Sequence, residues 1–287
     1  MKDSRRGRMP FCSRGEVKIY FEVHGQGAPL MLISGLSGGV FSWYGQIPFF
    51  ARRYRTIVFD NRGAGRSDMP PGPYAMRQFA EDALCVLDYL GIERTLVMGL
   101  SMGGMIAQEL ALLAPSRIMA LALGCTHHGG EHRVGPSREV MNLLLSNVGL
   151  SQEQIVEKNL PIFLSRRFLT EEPHEVELYR RALLSTELQP ESAFQAQLAA
   201  IVGFDSRDRL GSLDAPTLII TGTEDLLVPK ENAYLLAAAI PSAELVEIPG
   251  AGHALHAECR DLLNELVHRF FQKISEGHQP ATAQNPA

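Results

Sequence analysis

The chain has 287 residues, of which 45% are hydrophobic and 21% charged, and it carries a net charge of −5. That length fits one large domain or one domain with an insertion, and that composition excludes a disordered or fibrous chain. The acidic balance argues against nucleic acid or an anionic membrane surface as a partner.

Residues 1–14 carry the basic cluster Lys2, Arg5, Arg6 and Arg8 but no apolar segment of a signal peptide. They are expected to be a disordered tail, as is the Gln-, Ala- and Pro-rich stretch 275–287. Residues 17–23 read as a strand, 25–29 as a turn and 30–33 as a second strand. A glycine-rich loop at 34–39 follows, then a short helix within 43–53 whose extent Pro48 limits. Residues 56–59 form a buried strand that runs into Asp60-Asn61-Arg62-Gly63-Ala64-Gly65-Arg66-Ser67-Asp68. The spacing of Phe79, Ala83, Val86, Leu87 and Leu90 predicts an amphipathic helix over 75–90. The apolar run from Thr95 then reaches Gly99-Leu100-Ser101-Met102-Gly103, and a helix from Met105 to Ala114 is stopped by Pro115. A further strand is expected at 118–123.

The pattern changes at 124. Helices are predicted at 138–146, 151–160, 174–186 and 191–202, broken by Gly135-Pro136, Pro161 and Pro190, with no strand among them. Alternation resumes with a strand at 217–221, a helix at 230–239, a strand at 243–248 and a final helix at 254–273. Such alternation implies a doubly wound, mostly parallel α/β sheet covered on both faces. Residues 15–124 and 211–274 would form this core. Residues 125–210 would form an all-helical cap over the strands' carboxyl ends, where open α/β sheets bind ligands. No apolar run approaches the roughly 20 residues that span a bilayer. Cys12, Cys85, Cys125 and Cys259 are scattered without a C-x-x-C pair, which predicts free thiols in a reduced, cytoplasmic protein.

Strand, tight glycine turn and helix around Ser101 is the context of a nucleophile elbow. The turn pushes the serine into a sparsely allowed backbone region, and side chains beside it would collide with the neighbouring strand and helix. The N-terminus of the following helix favours developing negative charge. Gly35-Leu36-Ser37-Gly38-Gly39 fits the same five-residue pattern, but no helix follows at once, so Ser37 reads as a loop residue. A serine hydroxyl needs a histidine to take its proton and a carboxylate to orient that histidine. Thr221-Gly222-Thr223-Glu224-Asp225 offers a carboxylate after one strand, and Pro249-Gly250-Ala251-Gly252-His253 a histidine after the last. The order Ser, Asp, His is that expected for this kind of sheet.

With these motifs in this order, the chain from about residue 15 to 272 resembles the α/β-hydrolase superfamily with a helical cap. It is similar in particular to the bacterial enol-lactonase and small-ester hydrolase branch, which includes methylesterases. The resemblance rests on Val23-His24-Gly25-Gln26-Gly27, the loop at 34–39, Asp60 to Ser67, Gly99 to Gly104, Gly222 to Asp225 and Gly250 to His253. It implies an eight-stranded sheet, Ser101 as nucleophile, His253 as general base and then acid, and Asp225 as the orienting carboxylate. It also implies an oxyanion hole from the backbone N–H groups of Leu36 and Met102. Many members have His-Gly where this chain has Ser34-Gly35; because the donor is a backbone group, Ser34 does not abolish the hole.

Other motifs compete less well. Glu224 is an alternative to Asp225, and His256 falls inside the last helix. His127, His128 and His132 with Glu131 suggest a metal, but on a glycine-broken loop without a ligand-spaced partner. Gly63-x-Gly65 lacks the third glycine and the helix of a dinucleotide site and reads as a turn at the active-site rim. Cys125 reads as a small buried thiol. Trp43, Phe163, Phe168, Phe194 and Phe204 are candidates for a pocket or for the core. The expected activity is hydrolysis of a small carboxylic ester or lactone through an acyl-enzyme, with no cofactor and no metal. The alternatives are a C–C bond hydrolase or perhydrolase with the same triad, or a receptor without turnover. The cap should enclose a mostly apolar pocket, with Arg133, Arg138, Arg166 and Arg167 as candidates for a charge at its mouth.

Overall fold

The computed structural model describes residues 10–277. Eight strands form one sheet: β1 (Phe11–Arg14), β2 (Val17–His24), β3 (Ala28–Ile33), β4 (Tyr54–Phe59), β5 (Thr95–Leu100), β6 (Ile118–Gly124), β7 (Thr217–Gly222) and β8 (Ala243–Ile248). Their spatial order is β1-β2-β4-β3-β5-β6-β7-β8. The pairs β1–β2 and β2–β4 are antiparallel, and β3 to β8 run parallel.

Residues on one strand alternate between two apolar layers, as the two-residue period of a pleated strand requires. Met31 and Ile33 of β3 face one layer, Leu30 and Leu32 the other. Ile57 and Val58 of β4 divide in the same way, as do Ile219 and Ile220 of β7. The first layer is covered by α2 (Met76–Tyr89), α3 (Met102–Leu113) and α9 (Glu231–Ala239), through Phe79, Leu110 and Leu236. The second is covered by α1 (Ile47–Phe50) and α11 (Arg260–Gly277), through Phe50, Val267 and Phe271. Burial on both faces explains why the central strands read as continuous apolar runs.

Between β6 and β7 the chain forms α4 (Arg138–Leu145), α5 (Gln152–Phe163), α6 (Arg166–Glu171), α7 (Pro173–Leu183) and α8 (Glu191–Val202). Serines cap three of them: Ser137, Ser151 and Ser165 accept from the third N–H of α4, α5 and α6.

Several expectations about boundaries need correcting. Residues 11–14 are not tail: β1 pairs with β2 from Phe11 opposite Tyr20 to Arg14 opposite Val17. At the other end α11 runs to Gly277, past the expected limit at 274, while the rest of both tails lies outside the described residues. Pro161 does not break α5: it stands in the last turn, where it forgoes one N–H bond, to Glu157 O, and the helix ends two residues later at Phe163. α6 was not expected; it is a single short stretch closed by Pro173 at the start of α7. The predicted helix at 43–53 shrinks to α1, with Trp43 in a 3-10 turn at Val40–Trp43. The final helix divides at Cys259 into α10 (Leu255–Glu258) and α11.

Candidate active site

Six parallel strands end at one edge of the sheet, so the segments that follow them converge there. Ser101 follows β5 with φ 56° and ψ −122°, outside the regions open to an unstrained L-residue. The neighbouring glycines permit this. A β-carbon on Gly103 would stand 1.9 Å from the Ile33 carbonyl oxygen, and one on Gly99 would stand 2.2 Å from the carbonyl oxygen of Gly103. The turn is held by Ser101 N–H donating to Gly124 O (2.9 Å) and by the Thr126 hydroxyl donating to Ser101 O (2.7 Å).

Asp225, after β7, and His253, after β8, are both buried and meet at 2.8 Å between Oδ2 and Nδ1. The other carboxylate oxygen of Asp225 accepts the N–H groups of Leu227 (2.9 Å) and Val228 (2.8 Å). A carboxylate only accepts, so Nδ1 of His253 is the donor and its Nε2 is left as the acceptor. Glu224 is exposed, and its main-chain N–H is used on Ala251 O at 2.9 Å. Thus Asp225, not Glu224, faces the histidine.

Leu36 lies in the loop after β3 and Met102 opens α3 beside Ser101. Gly35 brings that loop close: a β-carbon there would be 3.2 Å from Ser101 Cβ. Among the described residues, neither the Leu36 nor the Met102 N–H donates to another main-chain oxygen outside its own element. Asn61 Nδ2 holds the start of the loop through Ser34 O at 3.0 Å. Ser37, at φ 60°, is tied down by its N–H on Gln197 Oε1 (2.9 Å) and by its hydroxyl on Gln189.

The 60–68 loop is a rim support. Asp60 accepts from Val40 N–H (2.7 Å) and Arg66 N–H (2.9 Å), and no helix opens at Gly63 or Gly65. Gln197 joins the two loops, since its Nε2 donates to Arg62 O at 2.8 Å. The chain pattern around Gln189 and Gln197 gives no hint of this role; the partners lie far away in sequence.

Ser101 and His253 line a cavity of about 600 Å³ together with residues of α4, α5, α7 and α8. Of the aromatic candidates, Trp43, Phe163 and Phe194 line it; Phe168 and Phe204 are core. The Phe163 ring lies 5.8 Å from that of His253. Of the four candidate arginines only Arg133 lines the cavity, while Arg138, Arg166 and Arg167 are exposed elsewhere. The exposed Glu187 and Glu191 also line it, so its charged groups do not sum to a cationic mouth.

The three histidines considered for a metal do not converge. His127 Nδ1 accepts from Gly129 N–H at 3.0 Å, His128 Nδ1 is 2.8 Å from Gly129 O, and His132 is exposed beside Glu131. Among the described residues the donors that do gather are Cys125, Asp225 and His253, within 4.8 Å of one another. Burial, then the Asp225 charge, pushes the Cys125 thiol well above its ordinary range, so it remains protonated.

Two other imidazoles at the cavity are held neutral. Burial pushes His127 down to about 3, helped by the nearby Arg133 charge. Burial and the neighbouring His253 push His256 down to about 4. Histidines with folded values below the unfolded one, about 6.5, stabilise the protein fully above that value and lose this contribution as pH falls towards the folded values. Between pH 7 and 5 each should therefore remove about 2 kcal/mol of unfolding free energy. Urea denaturation of wild type, His127→Gln and His256→Gln at both pH values checks this. Each variant should show a flatter dependence, and an equal slope in all three would refute the burial argument.

A family model described as the alpha/beta hydrolase fold matches residues 28–258. The chain is 31% identical over 269 residues to "Putative carbamate hydrolase RutD" of Azorhizobium caulinodans, covering 93% of this chain and all of that protein. It is similar to the solved structure of Est816, an N-acyl homoserine lactone degrading enzyme, with 32% identity, a TM-score of 0.79, and 91% and 100% of the two chains covered. It is also similar to the enol-lactonase of Burkholderia xenovorans, with 26% identity, a TM-score of 0.80, and 92% and 100% covered. Among the described residues no helix is long and apolar enough to cross a membrane.

Proposed function

The chain belongs to the alpha/beta hydrolase fold family, and on that premise we propose that it hydrolyses a small carboxylic ester or lactone through an acyl-enzyme. The observation that carries this reading is the 2.8 Å His253–Asp225 contact, with His253 and the strained Ser101 lining one cavity. Ser101 Oγ attacks the carbonyl carbon while His253 Nε2 takes its proton. The carbonyl oxygen gains the negative charge, and the Leu36 and Met102 N–H groups receive it. Collapse breaks the C–O bond to the alcohol, which leaves with the proton from His253. Water then attacks the acyl-enzyme with His253 as base, and the acid departs as Ser101 recovers its proton. A lactone follows the same steps, with the alcohol remaining on the acyl part.

The helices between β6 and β7 act as a cap that limits the acyl group. The test is a panel of p-nitrophenyl esters from C2 to C16 beside several lactones and a carbamate, the last suggested by the name of the Azorhizobium relative. Activity should be greatest on compact esters or lactones and low at C16. Rates climbing steadily to C16 would defeat the enclosed-cavity reading. Turnover of p-nitrophenyl acetate should far exceed one equivalent, whereas a receptor would release one at most. Exhaustive EDTA treatment should leave the rate unchanged. Loss of activity with recovery on adding a divalent metal would instead require a metal mechanism.

A further inference from the structure

The loop that carries the Leu36 N–H is held at its ends by the segment that follows β4 and at its middle by the cap. Asn61 Nδ2 donates to Ser34 O at 3.0 Å, and Asp60 accepts the Val40 N–H at 2.7 Å. Between these anchors Gly38 N–H donates to Gly35 O at 3.0 Å, which closes a β-turn with Leu36 and Ser37 at its centre. Ser37 has φ 60°, while Leu36 is not among the described non-glycine residues with positive φ. That is the pattern of a type II turn, whose third position normally falls to glycine or asparagine. A serine there is strained, and such strain persists only where the surroundings hold it.

Two glutamines of the cap hold it, and in the same way. Gln197, on α8 and 0% exposed, accepts the Ser37 N–H on Oε1 at 2.9 Å and donates from Nε2 to Arg62 O at 2.8 Å. Gln189, just before α8, accepts the Ser37 hydroxyl on Oε1 and donates from Nε2 to Gly63 O. Each amide thus spans the turn and the 60–68 loop, and needs both an acceptor and a donor to do so. Among the described residues, the side chains that bond to Ser37 both come from the cap. A flip of the Leu36–Ser37 peptide would relieve Ser37, but it would take the N–H away from the buried Gln197 Oε1 and leave that oxygen unpaired. Leu36 stands one residue before this clamp and one after Gly35, where a β-carbon would be 3.2 Å from Ser101 Cβ.

We propose that Gln197, assisted by Gln189, is a positioning residue for the reaction: the docked cap fixes the 35–38 turn, and through it the Leu36 N–H that receives the oxyanion. The cap then serves catalysis directly, besides enclosing the acyl group. A donor set in advance where charge develops needs no rearrangement at the moment of reaction. This role rests on the hydrolytic reading, because it requires an oxyanion to stabilise.

Gln197→Met keeps the length of the side chain and removes both hydrogen bonds. The oxyanion forms in acylation and deacylation alike, so kcat on p-nitrophenyl acetate should fall about 10–100-fold with KM changed less than about threefold. An alkyl trifluoromethyl ketone gives a second readout. Ser101 Oγ bonds to its carbonyl carbon, the C=O π pair moves to the oxygen, and the serine proton passes to His253 Nε2. The resulting oxyanion occupies the hole, whereas the equal-length methyl ketone binds without that charge. Ki for the fluorinated ketone should rise by a factor similar to the kcat loss, and Ki for the methyl ketone should hold. Ser37→Gly added to Gln197→Met should restore much of the lost kcat, since glycine takes φ 60° without a clamp. A packing defect alone would weaken both ketones alike and would not be relieved by glycine. Thermal melts establish folding. Gln189→Met, at a half-buried position, reads the same turn if Gln197→Met does not fold, and should lose about threefold or more in kcat with the same ketone pattern. Unchanged kcat in the folded variant, or a loss that the fluorinated ketone does not share, would overturn the positioning role while the wild type still turns over ester. A wild type that turns over no ester or lactone would instead fell the hydrolytic reading, and this role with it.

Discussion

Ser101→Ala is expected to lower kcat by about 10⁴-fold or more, as loss of a triad nucleophile does when residual rate comes only from binding and the oxyanion donors. The expectation follows from the elbow: φ 56° projects one serine from the turn, and Gly99 and Gly103 leave no room for the turn to relax. Asp225→Asn should cost a similar factor, because an amide in place of the carboxylate can hold His253 in the wrong tautomer. Steady-state kinetics on one activated ester measures both. A fluorophosphonate probe adds a chemical readout, since it should label Ser101 alone. An adduct mapped to Ser37 would sink the assignment; that serine is engaged by Gln197 and Gln189.

Asp82→Asn is expected to destabilise the fold by about 3–5 kcal/mol, the usual cost of leaving one member of a buried ion pair uncompensated. Arg62 Nε and Nη2 each lie 2.5 Å from an Asp82 oxygen, with the two side chains 4% and 1% exposed. The pair fixes the 60–68 loop to α2, and Arg62 O in turn receives Gln197. Replacing both charges, as in Arg62→Met with Asp82→Leu, should recover most of the loss, because a buried pair is about as costly to desolvate as it is favourable once formed. Urea midpoints of the single and double variants decide the matter. A single-variant loss below about 1 kcal/mol would place this pair in the class of exposed bridges.

The sheet and its elbow were legible in the sequence because both are local. Two-residue alternation along 30–33 sends Leu30 and Met31 to opposite layers, and that follows from strand geometry alone. Gly99 and Gly103 bracket a turn whose steric demand is met within five residues. Capping serines at 137 and 151 likewise start helices close to where periodicity expects them. β1 was missed because four residues form a strand only when β2 is there to pair with them, and nothing in Phe11–Arg14 announces that partner.

What only the tertiary structure decided concerns groups far apart in the chain. The sequence prefers Asp225 over Glu224 only through the family resemblance; the turn after β7 supplies the physical reason, exposing Glu224 and burying Asp225 against His253, 28 residues on. Gln197 joins the 34–39 and 60–68 loops across separations of 160 and 135 residues. His256 reads as one more helix residue until the fold sets it between Trp43 and Tyr179. Hydrophobic periodicity records which face of an element is buried, but it carries no record of which polar group on another element lies opposite. That depends on how the helices between β6 and β7 sit against the sheet edge, a packing relation that no short stretch of the chain encodes.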